Sequence, residues 1–432
     1  MEQVRQQSNW KIPFFSIWTG QVFSLIGSGL VQFALVWWLT STTGSATVLA
    51  TATLAALLPE VLLGPFTGAL VDRWNRRIIM IVADGFVALA TLGLAAIYAL
   101  GMMQIWHVYV ILFLRSVGGS FHWAAMQTST SLMVPEEHLS RVAGLNQTLR
   151  GAVNIVAPPV GAVLLGVLPL HGILGIDVTT AMLAITPLLF VFIPQPKRSG
   201  AARSSGGLAS LLSEVREGWR YLASWPGMLL LGGMAAVLNF VFNPAFSLTP
   251  ILVTKHFNGQ AFQLAWMESA WSVGMVIGGV TLGVWGGFRR KMLTALMGLL
   301  GMGIATLLIG LSPSTAFDLA LGSMFGVGFM NVICNGPIFA MVQAKVAPEM
   351  QGRVFMLIGS FSGAMSPLGM VIAGPVADAL GVRFWFVMAG GVCVMMAVAA
   401  YFVPALMHLD DTNGHAATEA TALVGAVGVQ AE

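Results

Sequence analysis

Twelve stretches of this chain are long and apolar enough to cross a lipid bilayer, and that count constrains the fold more than any motif. A hydrocarbon core about 30 Å thick takes about 20 apolar residues in a helix rising about 1.5 Å per residue. The stretches fall at 14–40, 46–71, 77–100, 105–132, 141–168 and 172–194, then at 226–252, 262–286, 291–312, 316–343, 353–379 and 383–407. Composition agrees, with 57% hydrophobic and 9% charged residues against about 25% charged in ordinary soluble domains. A soluble core beyond roughly 300 residues would also split into domains with polar surfaces. The predicted fold class is therefore an all-α membrane protein with twelve transmembrane helices. The first stretch is too long and Trp-rich for a cleaved secretory signal and is expected to stay in the protein.

Basic residues collect in cytoplasmic loops, and here they orient the chain. With both termini inside, Arg5, Lys11, Arg73, Arg76, Arg77, Arg141, Lys197, Arg198, Arg203, Arg216, Arg220, Arg289, Arg290, Lys291, Lys345 and Arg353 all fall on the cytoplasmic side, sixteen of the twenty Lys and Arg. Lys255 and Arg383 fall outside, and Arg115 and Arg150 lie within spans. The pI of 9.1 thus comes from short loops and not from a continuous basic patch, which excludes a nucleic-acid partner. A multi-pass plasma-membrane protein is expected. Its parts are an N-terminal bundle over 1–194, a cytoplasmic mid-chain loop over 195–225 with an amphipathic piece at 214–221, a C-terminal bundle over 226–407, and a disordered cytoplasmic tail over 408–432.

The two bundles repeat each other. The segment VPEEHLSRVAGLNQTLRG from 134 aligns with VAPEMQGRVFMLIGSFSG from 346, pairing Pro135 with Pro348, Arg141 with Arg353 and Gly151 with Gly363. Gly64 and Gly68 likewise align with Gly279 and Gly283, but Gly287 stands where the first half has Asp72. Internal symmetry of this kind places binding sites at the repeat interface.

Residues 64–77, GPFTGALVDRWNRR, join the second and third spans and resemble the loop signature of the major facilitator superfamily. The phrase LVDRWNRRIIMIVADGF, the fourth-span Arg115 and the segment VPEEHLSRVAGLNQ resemble its macrolide-efflux and enterobactin-exporter branch. The resemblance implies two pseudo-symmetric six-helix bundles and proton-driven export of bulky amphipathic molecules. It also implies a conformational latch at Gly64, Gly68, Asp72, Arg73, Arg76 and Arg77. Physically, glycines one turn apart let a second helix approach closely, and a carboxylate at a helix end meets a facing helix N-terminus favourably. The plainer reading is that the arginines only set topology. Arg115 matches the superfamily's helix-4 arginine, although the residues after it, Ser116-Val117-Gly118-Gly119, lack the usual glutamine. Gly151 and Ala157-Pro158-Pro159-Val160-Gly161 resemble the antiporter element of helix 5.

Ionisable residues inside spans cost about 2.5–3.5 kcal/mol each on insertion scales. Glu60, Asp84, Arg115, Arg150 and Glu268 are so placed. Depth along the helices brings Glu60 toward Arg115 and Asp84 toward Arg150. A carboxylate in low dielectric exchanges a proton when a partner cation moves, so Glu60 is the first candidate for proton coupling and Asp84 the second; a fixed ion pair stapling two helices is the structural alternative. The fold implied by the resemblance lines its cavity with helices 1, 4, 7 and 10. They supply Gln21, Trp37, Trp123, Met126, Asn239, Phe242, Met324, Phe329, Asn331 and Asn335, a mostly apolar surface suited to hydrophobic cargo.

Enzymatic chemistry finds no support. No His pair at i, i+4 flanks a glutamate and no GK[ST] phosphate loop is present, so no metal, cofactor or ATP use is expected, and gradients must drive transport. Cys334 and Cys393 fall inside spans and read as packing residues. The expected partners are a small hydrophobic substrate, protons and membrane lipid, around a monomer. Three functions stay open: a proton-coupled drug or metabolite exporter, a lipid or siderophore exporter of the same fold, and a non-transporting sensor or scaffold.

Overall fold

In the computed structural model, residues 10–193, 195, 216, 219–346, 348–407 and 409 are described. The mid-chain loop at 195–225 and the tail at 408–432 lie largely outside them. Among the described residues, twelve helices are long and apolar enough to cross a membrane. They are α1 Lys11–Thr43, α2 Ala46–Arg73, α3 Arg76–Ala99, α4 Ile105–Met133, α5 Glu136–Val167, α6 Leu170–Phe190, α7 Pro226–Ser247, α8 Ala261–Trp285, α9 Lys291–Leu311, α10 Phe317–Lys345, α11 Pro348–Leu380 and α12 Val382–Tyr401.

Local sequence sets the tight reversals between helices. Gly44 ends α1 in the left-handed region at φ 60°, donating its N–H to Thr40, and the next residue, Ser45, caps α2 by accepting from the Val48 amide. Asn75 starts α3 in the same way, accepting from the amides of Arg77 and Ile78. Helix α5 begins at Glu136, five residues earlier than its hydropathy indicates, because Pro135 precedes two glutamates that favour a helix N-terminus. Helix α7, expected to run to 252, stops at Ser247, three residues beyond Pro244, and continues as a short turn at Thr249–Ile251 and a π-turn at Leu252–His256.

The pairing of helices is the same in both halves. In the first, α1 packs on α5 and α6, α4 on α2 and α3, and α3 on α6; in the second, α7 packs on α11 and α12, α10 on α8 and α9, and α9 on α12. The halves meet where α2 packs on α11 and α5 on α8, contacts that a two-fold operation exchanges. This is two pseudo-symmetric six-helix bundles.

Because the helices alternate in direction, Lys11, Arg73, Arg76, Arg77, Arg289, Arg290, Lys291 and Lys345 gather at one end, called here the basic end. At the far end the halves share a buried core, in which Phe33, Ala46, Leu49 and Ala50 of the first half join Leu248, Ile251, Leu264, Met370 and Ala373 of the second. At the basic end each half keeps its own core, around Met80 and Leu188 in the first and around Met228 and Met341 in the second. The molecule is closed at the far end and parted at the basic end.

Candidate functional site

The parting encloses a cavity of about 1150 Å³ between the halves. It reaches from Phe33, Phe246 and Met267 toward the far end to Met292, Val342 and Phe355 near the basic end. Asn239, Phe242, Met324, Asn331 and Asn335 line it as the sequence predicts. The other five expected lining residues do not. Gln21 is buried inside the first half and donates to Asp84 at 3.3 Å, Trp37 packs against the shared core, and Met126 packs with the first half's core at the basic end. Trp123 lies under Arg150, and Phe329 stacks along α10 on Phe325 while its backbone abuts Gly274 and Gly278 of α8. Helix α4 contributes no lining residue; α5, α8, α9 and α11 do. In this conformation α4 is turned into its own half, against α2 and α3.

The first half holds two buried polar layers that sequence alone paired wrongly. In the layer nearer the far end, Arg115 forms an ion pair with Asp177 of α6, and not with Glu60. Thr91 accepts from Arg115 at 2.8 Å, and Ser28 donates to Asp177 at 3.3 Å. The second layer lies one heptad away along each helix, from Ser28 to Gln21, Thr91 to Asp84 and Arg115 to His122, or about 10 Å by helical rise. There His122 Nε2 stands 3.5 Å from Asp84 Oδ1, an ion-pair distance outside hydrogen-bond geometry, and that nitrogen has no other partner. Glu60 is exposed and away from the cavity lining. Depth along a helix had brought it level with Arg115, but Arg115 is engaged by Asp177 and Thr91. Arg150 does not pair with Asp84 either: its guanidinium carbon sits 3.5 Å from the centroid of the Trp123 ring, a cation–π contact. Asp177 and His122 are the residues missed by sequence reading. Their signal was available, since Asp177 is an ionisable residue in an apolar span and the heptad spacing links His122 to Arg115.

Among the described contacts, none joins the expected latch residues across the halves. A Cβ added at Gly64 or Gly68 meets nothing within 4 Å, so no helix among the described residues occupies that face of α2. The guanidinium of Arg77 donates to the carbonyls of Leu188 and Leu189 at the end of α6, within its own half. Arg76 is buried and donates to Thr128 at 3.2 Å, while Arg73 is exposed. The side chain of Asp72 lies outside the described residues.

At the opposite end of the same helix, a contact that the sequence reading did not anticipate joins the halves. Asp378, near the end of α11, accepts from Ser45 Oγ at 2.8 Å and from the amides of Ala46 and Thr47 at 2.8 and 2.9 Å. These are the free donors at the start of α2, where negative charge is favoured. One turn earlier on α11, Gly374 lets the backbones touch, since a Cβ there would sit 2.7 Å from Thr47 Cα.

Comparison with known proteins matches this arrangement. The family model described as Major Facilitator Superfamily matches residues 17–370 and 228–427. Macrolide efflux protein A of Streptococcus pyogenes is 34% identical over 407 residues, covering 94% of this chain and all of that protein. Multidrug efflux pump Tap of Mycolicibacterium fortuitum is 26% identical, covering 89% and 94%. Among solved structures, a bacterial homolog of the human lysosomal transporter Spinster, in an inward-facing and unoccupied conformation, superposes with a TM-score of 0.68 at 13% identity, covering 94% of this chain and 99% of that one. A D-xylose–proton symporter gives 0.66 at 15% identity, covering 91% and 98%. At those identities the structural likeness speaks for the fold alone.

Proposed function

The chain belongs to the Major Facilitator Superfamily, and we propose that it is a proton-coupled exporter of bulky hydrophobic or amphipathic molecules, of the macrolide or multidrug kind, working by alternating access in the plasma membrane. The observation that carries this reading is a large apolar cavity between two halves that is open at one end and closed at the other. With the basic end cytoplasmic, as the distribution of Lys and Arg favours, both termini lie inside and the molecule stands open to the cytoplasm, ready to load. Met, Phe and Asn side chains on its walls can repack around cargo of different shapes.

For the cavity to face outward, Asp378 and Gly374 must part from the start of α2, and the bare face at Gly64 and Gly68 must be covered at the cytoplasmic end. In this scheme that face and Asp72, Arg73, Arg76 and Arg77 form the inner latch of the outward-open state, and Asp378 forms its opposite number. Proton coupling is assigned to Asp84 with His122, in place of Glu60, because this carboxylate is buried with the half-buried imidazole 3.5 Å from it, while Glu60 is exposed. Arg115 and Asp177 anchor the layer beside them. One proton moving inward through 100 mV releases about 2.3 kcal/mol, enough to hold roughly a fiftyfold gradient of an uncharged molecule.

The test is accumulation of a macrolide in pump-deficient cells with and without a protonophore, and in proteoliposomes carrying an imposed pH gradient. Export that stops when the gradient collapses is the expected result. Accumulation unaffected by the protein, or export indifferent to the protonophore, would refute the reading.

A further inference from the structure

Resting on the transport reading above, we infer that Glu268 and the aromatic pair Phe246–Trp271 form a recognition site for a lipophilic organic cation inside the cavity, with Glu268 as its counter-ion and specificity-determining residue. Three observations meet here. Among the described lining residues only Arg150 and Glu268 have ionisable side chains. No hydrogen bond or ion pair among the described residues engages the Glu268 carboxylate, so an arriving cation would supply the partner that a carboxylate in this setting lacks. Trp271 follows Glu268 by three residues on α8, which puts both on one face of the helix, and its ring packs on Phe246 with centroids 4.7 Å apart, both rings lining the cavity.

Arg150 does not neutralise this site. Ser269 Oγ donates to the Ile155 carbonyl at 2.9 Å and Ser272 Oγ approaches the Asn154 carbonyl at 3.5 Å, so α5 and α8 run antiparallel with Gly151 facing Val276. In that register Arg150 stands about eight residues beyond Glu268, or about 12 Å toward the basic end, and its charge is already placed over the Trp123 ring. An apolar chamber with one free carboxylate beside two aromatic faces suits a bulky cation, whose charge is met by the carboxylate and whose methyl or aryl groups lie on the rings. The neutral asparagines on α7 and α10, Asn239, Asn331 and Asn335, accept or donate without preference for charge, so discrimination falls to Glu268.

The experiment measures equilibrium binding of tetraphenylphosphonium, a permanent cation, and of triphenylphosphine oxide, an uncharged compound of similar bulk, to the full-length protein in lipid nanodiscs. The native protein is expected to prefer the cation. Glu268→Gln should weaken cation binding by about tenfold or more and erase the preference, Glu268→Asp should keep it, and Trp271→Leu should reduce it. A native protein without preference for the cation, or a Glu268→Gln protein that retains it while melting at the native temperature, overturns the inference. The two readings fail separately. Export of a macrolide by a protein indifferent to charge leaves the transporter and removes the cation site; a charge preference that vanishes in Glu268→Gln, in a protein that exports nothing, leaves the site and removes the transport.

Discussion

Replacing Asp378 by alanine should open the closed end of the molecule. The carboxylate accepts from one hydroxyl and two amides at 2.8–2.9 Å, all belonging to the first residues of α2. Loss of a helix cap costs about 0.5–2 kcal/mol, and the charge at a helix N-terminus contributes about 0.3–1 kcal/mol. Asp378 is exposed, so solvent and salt screen part of this, and a net change of about 1–2 kcal/mol is reasonable. The contact exists only while the far end is closed, so nearly all of it enters the balance between conformations. At about 1.4 kcal/mol per tenfold, the ratio of inward-open to outward-open protein should fall by about 5- to 30-fold. Spin labels at Leu100 and Leu311, exposed at the far ends of α3 and α9, in a background with Cys334 and Cys393 replaced, report the separation of the halves by pulsed dipolar spectroscopy. Gly374→Ala is the companion, because its Cβ would meet Thr47 Cα at 2.7 Å and push the same crossing apart. Distance distributions unchanged in both variants would refute the idea that this crossing holds the far end shut.

Asp84→Asn and His122→Ala should each abolish export driven by a pH gradient in proteoliposomes while protein abundance holds, and Glu60→Gln should leave it working; the opposite pattern returns the coupling role to Glu60. Arg115→Leu leaves Asp177 buried without its cation and should lower the thermal stability of the purified protein by an amount equivalent to about 3–5 kcal/mol, most of it recovered by replacing Asp177 with Leu as well. Gly298→Ala puts a Cβ 2.7 Å from Cys334 Cα and should destabilise by about 1–3 kcal/mol in a melting assay. Gly68→Ala meets empty space and should melt like the native protein; if it nonetheless slows export, the bare face of α2 is used in the other conformation.

The twelve crossings and the duplicated halves are legible in the sequence because each rests on patterns of residues close together in the chain. Hydropathy counts spans, and glycine and cap residues punctuate them. Side-chain partnerships were not legible in the same way. Position along a helix gives depth, but whether Glu60 or Asp177 reaches Arg115 depends on how each helix is rotated about its axis, and that is set by the packing of α3, α4 and α6 on one another. Hydropathy supplied little rotational signal, since helices apolar on every side have no preferred face. The cavity list missed in part for a related reason: Trp123 and Met126 belong to a helix that faces the cavity in the general scheme, but in this conformation α4 is turned into its own half. The Asp378 contact joins residues more than 330 positions apart in the chain, beyond the reach of any local pattern.

The second half is held together by backbone-on-backbone contacts. An added Cβ at Gly278 would lie 2.6 Å from the Phe329 carbonyl oxygen, one at Gly390 would lie 2.6 Å from the Leu307 nitrogen, and one at Gly303 would lie 2.9 Å from the Val394 nitrogen. Glycine lets these helices approach backbone to backbone, which fixes where they cross. The first half is bridged at its centre by the pairs Arg115–Asp177 and His122–Asp84. The two-fold architecture therefore joins unlike partners, one seated backbone against backbone and the other pinned through its centre by ion pairs.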